Sequence, residues 1–446
     1  MASRDHYGDV LQFRADLWRV PFSMCVGAVA LFLVTVLIDR GAIHDSLRLP
    51  GWISIGGPDD ARAILGALLG AVSTVLALIF SVALLVLSMA VSNFGPRILY
   101  RFVSDGVTQA TIGLFLASFV HLLLTFVVTR QQGDRQFVPQ LTLMCGVALV
   151  MTSFIVLVIF SHRIAMSIQT QNVVAHIVAD LDRALVQLME GAKRVALVPR
   201  TPDGWAQRDA VIARLDSEGG IVRAPRTGFV QEVDMGALLT ATERLDVVAR
   251  LLYRPGQFVM EGGALAQVWP AARAADFAPV VAQGIQIGRQ RTLKQDLEFG
   301  IAQLVEIALR ALSPAINDTF TGLTCIDWLG DELRAFASVT QDSGACLGRR
   351  DTTIRLVWPP LMLARLTASA FNQIRQTATG NPAVSIRLLQ TFARLGEQVE
   401  DAAFREALRQ QVEAVWESVS SESLVKSDRA DVEKAYRRAC DMVGTN

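Results

Sequence analysis

The sequence has no excess of charge of either sign, because 42 lysines and arginines stand against 42 aspartates and glutamates among its 446 residues. Nucleic-acid binding draws much of its affinity from cationic side chains that neutralise phosphates. A chain without a positive surplus lacks that support, and we expect no nucleic-acid partner.

Cysteine and histidine are scarce. The five cysteines are scattered and form no C-x-x-C pair, which argues against a disulfide framework and a zinc site. All five histidines precede residue 177, which excludes a histidine-based catalytic site farther along the chain. No Walker A, H-E-x-x-H or G-x-S-x-G pattern stands in a suitable context. We therefore expect no enzyme, no metal and no cofactor.

Charge is also missing from long apolar runs in the first third of the chain. From Ile64 to Val91 there is no charged residue, and a helix of that length exceeds the roughly 30 Å hydrocarbon layer of a bilayer. Three further runs are long enough to span. The sequence therefore predicts four transmembrane helices, at about 20–38, 60–94, 107–128 and 138–160.

The composition changes twice after these runs, which predicts a membrane α-helical protein with a cytoplasmic small β-sandwich and an α-helical bundle. The predicted parts are an N-terminal segment (1–19), a four-helix transmembrane domain (20–161), a connecting helix and linker (162–219), a β-sandwich-like domain (220–270) and a C-terminal helical bundle (280–446). Four spans place both termini on one side of the lipid bilayer. A slight excess of arginine on that side favours cytoplasmic termini.

Hydroxyl side chains recur along one face of the second span and one face of the third, at spacings of seven and four. Hydroxyls that face water would line a pore, whereas small residues that face another helix let the two helices pack closely. His121 is either a titrating group or a neutral imidazole bonded to a hydroxyl. The pore-lining candidates are Thr74, Ser81, Ser88, Ser92, Thr111, Ser118, His121 and Thr125.

Apolar residues continue beyond the fourth span at spacings of three and four. Over 163–190 they approximate a heptad seam. This pattern is typical of a parallel bundle that gathers several subunits, and also of an amphipathic helix packed on its own domain. The first interpretation predicts a homo-oligomer.

Short β-rich segments broken by glycine and proline run from Gly220 to Pro270, with a short helix predicted over MGALLTATERL. The stretch resembles the small β-sandwich of biotinyl and lipoyl carrier domains and of membrane-fusion adaptors. It contains no lysine, so the residue that the carriers modify has no counterpart. We expect a structural or interaction module.

Helical periodicity resumes near residue 280, with start signals such as Asn381–Pro382. A dense polar cluster near the beginning of this region has two interpretations. It binds an anionic ligand, for instance a nucleotide or a lipid headgroup, or it consists of caps and solvated helix faces. Its candidate residues are Arg291, Lys294, Asp296, Glu298, Asn317 and Asp318.

Specific stretches carry a resemblance to a known family, among them VLSMAVSNFGPRIL, RPGQFVMEGGALAQV, QDLEFGIAQLVEIALRALSPAINDTFTGLTCIDWLG and FNQIRQTATGNPAV. The chain resembles the bacterial DUF2254 family of predicted integral membrane proteins, from the first span to the last helices. The resemblance implies this architecture and a bacterial inner (plasma) membrane. It implies no catalytic or binding residues.

Two functions fit these features. The first is an oligomeric channel or passive transport protein, in which the hydroxyl stripes line a water-filled path and the cytoplasmic part regulates it. The lack of acidic and basic residues inside the spans weakens ion-coupled transport, whereas a passive pore needs no such charge. The alternative is a membrane-anchored sensor or scaffold whose soluble domains bind a ligand or partner.

Overall fold

The computed structural model describes residues 5–41, 57–94, 105–132, 135–167, 170–192, 196–199, 201–339, 342–348, 353–377, 379–421 and 423–444. The chain forms two compact units, Met1–Asn172 and Val173–Asn446. We term them the N-terminal unit and the C-terminal unit.

Long helices make up most of the N-terminal unit. Its elements are α1 (Asp5–Arg40), α2 (Pro58–Phe94), α3 (Gly106–Val128), β1 (Arg130–Gln132), β2 (Arg135–Phe137) and α4 (Gln140–Ser167). Among the described residues, four helical stretches are long and apolar enough to cross a membrane: Trp18–Arg40, Pro58–Met89, Gly106–Val128 and Gln140–Ile164. The four predicted spans are confirmed as candidates. Helix α1 begins at Asp5, within the predicted N-terminal segment 1–19.

Helix α3 lies at the centre of the N-terminal unit, since it packs against α1, α2 and α4. Glycine permits this close packing at two positions. A Cβ at Gly113 would lie 2.7 Å from Met24 Sδ, and one at Gly146 would lie 2.8 Å from Leu122 Cδ2. Small residues at such positions let helices approach closely in lipid.

The carboxylate of Asp39 joins α1 to α4. It is 7% exposed and accepts hydrogen bonds from the amides of Leu141 and Thr142, at 3.2 and 3.0 Å, and from the Thr142 hydroxyl at 2.8 Å. The first amides of a helix lack partners within the helix and carry partial positive charge. Asp39 therefore caps α4 from a neighbouring helix.

Two sheets and several helices form the first part of the C-terminal unit. In chain order these are α5 (Thr170–Ala192), β3 (Ala196–Pro199), α6 (Pro202–Glu218), β4 (Gly220–Arg223), β5 (Gly228–Val233), α7 (Met235–Leu245), β6 (Val248–Leu251), β7 (Phe258–Val259), β8 (Ala264–Trp269), α8 (Ala274–Gly284) and β9 (Ile285–Gly288).

Six helices and two more strands follow: α9 (Leu297–Ala311), α10 (Thr319–Val339), β10 (Asp342–Leu347), β11 (Ile354–Val357), α11 (Leu363–Thr377), α12 (Pro382–Gln398), α13 (Ala402–Ser420) and α14 (Lys426–Val443). The predicted start at Asn381–Pro382 is confirmed, because Asn381 accepts the Val384 amide as the N-cap of α12. The predicted helical bundle over 280–446 also contains strands, since β9, β10 and β11 lie within that range.

The larger sheet has the strand order β3-β10-β11-β6-β8-β4, and the smaller one β7-β5-β9. Leu238 of α7 and Phe277 of α8 are fully buried in one core with Val268 of β8 and Leu356 of β11. Burying each of the larger side chains contributes about 1.5–3 kcal/mol. A β-sandwich confined to 220–270 is not confirmed, because the sheets take β3, β9, β10 and β11 from outside that range.

Glu332 of α10 is a buried carboxyl in the helical part of the C-terminal unit. It is 2% exposed, and its Oε2 has no hydrogen-bond partner in the described part of the chain. Burial raises the pKa of Glu332 to about 8; Asp182 and Asp331 act in the same direction, and Arg334 opposes them. The folded state therefore keeps this carboxyl protonated near neutral pH.

We predict that Glu332 makes stability fall as the pH rises. Its pKa is about 8 in the folded chain and about 4.3 in an unfolded one. The contribution of Glu332 to folding stability is complete below the pKa of the unfolded chain. It is lost as the pH rises through the pKa of the folded chain. The free energy of unfolding should fall by about 2–4 kcal/mol between pH 5 and 9, and by less in Glu332→Gln.

Urea unfolding of the full chain in detergent, followed by tryptophan fluorescence, measures this difference. Glu433→Gln is the matched control, because Glu433 is a partly exposed glutamate paired with Arg437 on α14. Equal pH profiles for the wild type and Glu332→Gln would contradict the assignment.

Candidate functional site

A cavity of about 620 Å³ opens in the C-terminal unit. We term it the first cavity. The chain after β6 forms one wall, α9 contributes Glu298 from its first turn, and α11 contributes Arg365. The lining residues are Leu252, Tyr253, Gly256, Gln257, Phe258, Ala264, Arg291, Glu298 and Arg365. Its walls thus combine aromatic, amide and charged groups.

The carboxylate of Asp296 holds the edge of the first cavity together. It is 2% exposed and accepts hydrogen bonds from Arg291 Nε at 2.6 Å and Nη2 at 2.9 Å. It also accepts the Phe299 amide at 3.1 Å, which makes it the N-cap of α9. Burial raises the pKa of Asp296, although Arg291 and the Phe299 amide favour the ionised form. The two-pronged ion pair fixes the Arg291 guanidinium at the cavity.

Gly256 lies directly against this ion pair. Its φ of +90° is in the region that favours glycine, and a Cβ there would overlap the carboxylate of Asp296. The Arg254-Pro255-Gly256 turn can therefore approach α9 only with glycine at this position.

Glu298 binds two arginines from different parts of the chain. Arg254 Nη2 lies 2.6 Å from its Oε1, and Arg365 Nε lies 3.3 Å from the same atom. Arg254 also donates from Nη1 to the carbonyl oxygen of Pro360 at 3.2 Å. The Arg254 side chain is 11% exposed and the Arg365 side chain 56%. Arg254 is thus a fixed group, whereas Arg365 has one long contact with the part of the chain that the structure describes.

A second cavity of about 420 Å³ adjoins the first, because Gln257 and Arg365 line both. Helix α6 contributes Trp205 and Arg208 to it, and β6 contributes Arg250. The remaining lining residues are Arg254, Pro359, Pro360 and Met362. Arginine dominates its polar lining.

The six residues of the predicted polar cluster do not share one site. Arg291 and Glu298 line the first cavity, and Asp296 is bonded to Arg291 behind it. Lys294 instead extends to Glu232, with Nζ 3.0 Å from Oε2 in an exposed ion pair. Half of the cluster therefore converges on the first cavity.

Asn317 and Asp318 follow the opposite end of α9, which is 15 residues long, so about 22 Å of helix separates them from Asp296. Asn317 adopts a φ of +51°, and Asp318 caps the next helix by accepting the Thr321 amide and hydroxyl. For Asp318 the capping interpretation describes the structure.

The arginines that complete both cavities were not found from the sequence. Arg254 stands in a hairpin-like turn, and Arg365 lies on an amphipathic helix. Neither position has a local signal that links it to Glu298. The Arg-Pro-Gly sequence predicts a tight loop at Arg254, and it is the only signal at either position.

The hydroxyl stripe of α3 faces the interior of the N-terminal unit. Thr111, Ser118, His121 and Thr125 are all fully buried. Ser118 Oγ lies 2.9 Å from Ser153 Oγ, and His121 Nε2 lies 2.9 Å from the carbonyl oxygen of Thr142. Since a carbonyl only accepts, this ring nitrogen carries the proton. Within one chain these side chains face other helices, not solvent.

The stripe of α2 faces the other way. Thr74, Ser81 and Ser88 are exposed, and the Thr74 hydroxyl donates to the Gly70 carbonyl oxygen at 2.9 Å. The side chain of Ser92 lies outside the described residues. No group of three or more potential metal-ligating side chains occurs in the part of the chain that the structure describes.

Comparison with known proteins covers both units. The family described as "Predicted membrane protein (DUF2254)" matches residues 14–394. The Uncharacterized protein Mb1321c of Mycobacterium bovis and the Uncharacterized protein Rv1290c of Mycobacterium tuberculosis are each 28% identical to the chain over 441 residues, 96% of this chain and 80% of theirs. No solved protein structure matches the chain significantly.

We predict that Gly256→Ala costs more stability than Gly262→Ala. Both glycines have positive φ, +90° and +75°, but a Cβ at Gly262 would meet nothing within 4 Å. Gly262→Ala should therefore lower the free energy of unfolding by about 1–2 kcal/mol. Gly256→Ala should lower it by about 1–3 kcal/mol more, because the new methyl group displaces Asp296.

Urea unfolding of the full chain in detergent compares the two variants with the wild type. Equal losses in both would show that the contact between Gly256 and Asp296 is not tight.

Proposed function

The chain belongs to the DUF2254 family of predicted membrane proteins, and on that premise we propose that it is a membrane-anchored ligand receptor. Its apolar helices hold it in the bilayer. Its C-terminal unit binds a small anionic molecule in the first cavity. The observation that carries this proposal is the cavity with Arg291, Glu298 and Arg365 in its wall.

The size of the first cavity supports a small ligand. Its volume of about 620 Å³ lies within the roughly 300–1,000 Å³ typical of small-molecule sites. Tyr253 and Phe258 offer apolar area, and Gln257 offers an amide. Such sites commonly pair apolar walls with a few polar groups that orient the ligand.

The ion pairs around the cavity support an anionic ligand. Arg291 is fixed by Asp296, and Arg254 is fixed by Glu298 and the Pro360 carbonyl oxygen. Groups that are ordered before binding cost little conformational entropy when the ligand arrives. Arg365 shares Glu298 with Arg254 at the longer distance of 3.3 Å. It is the cation that a bound anion would draw away from Glu298 at the least cost.

We predict that small anions raise the thermal unfolding temperature of the full chain in detergent. A ligand at 100 times its Kd stabilises the folded state by about 2.7 kcal/mol. The panel is malate, citrate, glucose 6-phosphate and AMP, each titrated to 10 mM and followed by tryptophan fluorescence. At least one should give a saturable shift.

Two variants test the location. Arg365→Ala removes the exposed cation of the first cavity, and Ala264→Leu fills that cavity; each should weaken binding of the responding anion at least tenfold. Arg273→Ala is the matched control, because its side chain is 54% exposed, against 56% for Arg365, and pairs with one carboxylate. The proposal fails if no anion in the panel responds, or if the response survives both variants.

A second candidate function is an oligomeric channel, which the exposed face of α2 favours. Gly66 and Gly70 lie on α2 with nothing within 4 Å of a Cβ, and Thr74, Ser81 and Ser88 are also exposed. Small and hydroxyl residues mark helix contacts in lipid. In this candidate several copies of the chain would meet along this face and enclose a hydroxyl-lined path.

We predict that a channel would make the α2 stripe reactive. Single cysteines replace Thr74, Ser81 and Ser88 in a background without native cysteines, in intact membranes. A membrane-impermeant thiol reagent should label all three if they line a water-filled path. Ser118→Cys is the control, since Ser118 is fully buried. If the cysteine that replaces Ser81, the middle position, is not labelled, the channel is contradicted. The stripe would then contact lipid or another helix.

A further inference from the structure

We propose that the second cavity binds the phosphate group of a phosphate monoester. This inference rests on the proposed function and specifies its ligand: the body of the molecule occupies the first cavity, and its phosphate group occupies the second. Gln257 and Arg365 line both cavities, so one molecule can extend from one to the other.

The lining of the second cavity is strongly cationic. None of the described residues that line it is acidic. Four of them are arginines: Arg208, Arg250, Arg254 and Arg365. They reach the cavity from α6, from β6, from the turn after β6 and from α11. Four guanidinium groups from four places in the chain are typical of a site for an anion with several oxygen atoms.

The carboxylates that pair with two of these arginines compensate them weakly. Arg208 Nη1 lies 3.1 Å from Asp209 Oδ1, and Arg250 Nη1 lies 2.9 Å from Asp216 Oδ1. The side chains of Asp209 and Asp216 are 64% and 56% exposed. Exposed ion pairs are screened by water. These carboxylates therefore offset the positive charge on the cavity side only in part.

The environment of Arg208 is unfavourable for a cation. Its Nε is buried and has no hydrogen-bond partner among the described residues. Burial lowers the pKa of Arg208 and so does Arg250, against the opposing effect of Asp209. A buried donor without an acceptor destabilises a protein. A ligand oxygen would satisfy this donor and separate the two like charges.

The remaining contacts hold the guanidinium groups in place. Arg208 stacks over the ring of Trp205 at 5.1 Å from its centroid. Arg254 is bonded to Glu298 and to the Pro360 carbonyl oxygen. Trp205, Pro360 and Met362 also supply apolar lining, which displaces water and strengthens charge–charge attraction. A phosphate monoester carries nearly two negative charges at neutral pH and three acceptor oxygens. It therefore matches this cavity better than a carboxylate or a sulfate ester.

The test is isothermal titration of the full chain in detergent with phenyl phosphate, phenyl sulfate and inorganic phosphate. At pH 7.5 phenyl phosphate should bind at least tenfold more tightly than phenyl sulfate, which has one charge. At pH 5.5 this ratio should shrink several-fold, because the second proton of a phosphate monoester has a pKa of about 6. Inorganic phosphate tests whether the site prefers an ester or the free ion. If it binds as tightly as phenyl phosphate, or more tightly, the ester assignment is overturned.

Arg208→Gln and Arg250→Gln should each weaken phenyl phosphate at least tenfold. Arg208→Lys keeps the charge without the planar fork and should fall between them and the wild type. Arg214→Gln is the matched control on the same helix, since Arg214 is exposed and stacks over Trp269. Unchanged affinity in both Gln variants, with folding verified by the unfolding temperature, would overturn the proposal.

The two proposals fail in different ways. In one outcome no phosphate compound binds, but another anion binds and loses affinity in Arg365→Ala and Ala264→Leu. The phosphate assignment is then wrong and the receptor function stands. If phenyl phosphate depends on Arg208 but is indifferent to Ala264→Leu, the second cavity binds phosphate and the first cavity is not the receptor site.

Discussion

The buried carboxylate of Asp296 is the interaction on which both cavities depend. It caps α9, pairs with Arg291 and lies against Gly256. A buried charge is tolerated only when it is paired and fully hydrogen-bonded. Removing the carboxylate would leave the Arg291 guanidinium and the Phe299 amide without this shared partner. The Arg-Pro-Gly turn is thereby fixed against the start of α9, and this contact brings Arg254 to Glu298.

The two units treat polar groups differently. In the N-terminal unit they are satisfied inside the chain, as with His121 at the Thr142 carbonyl oxygen and Asp39 at the first amides of α4. Lipid offers no alternative partner, so such internal pairing is required there. In the C-terminal unit, cations meet at a cavity while two of their carboxylate partners point to solvent. This uneven pairing of charge is the basis for placing the proposed anion site in the C-terminal unit.

Local signals in the sequence predicted local structure. The charge-free runs predicted the four candidate spans, and Asn381–Pro382 predicted the start of α12. Both signals are local, because the length of a span and the cap of a helix depend on neighbouring residues alone. The strands β10 and β11 were missed: they are only six and four residues long, and β11 pairs with β6 in parallel across about a hundred residues of sequence. The polar cluster was grouped by proximity in sequence. In the structure the cluster is split, because helix α9 separates Asp296 from Asp318. Arg365, which contacts Glu298, is distant from the cluster in sequence.

The same seven-residue hydroxyl spacing on α2 and α3 has opposite outcomes, and geometry explains why. On α2 the residues buried against the rest of the unit include Leu65, Val72, Ile79 and Val86. The exposed residues of the stripe, Thr74, Ser81 and Ser88, each follow one of the last three by two residues, which is about 200° around a helix. The stripe on α2 thus faces away from the chain. Helix α3 packs against three helices, and its stripe lies on the face that they cover. Periodicity identifies a face of a helix, but the arrangement of the neighbouring helices decides whether that face is covered.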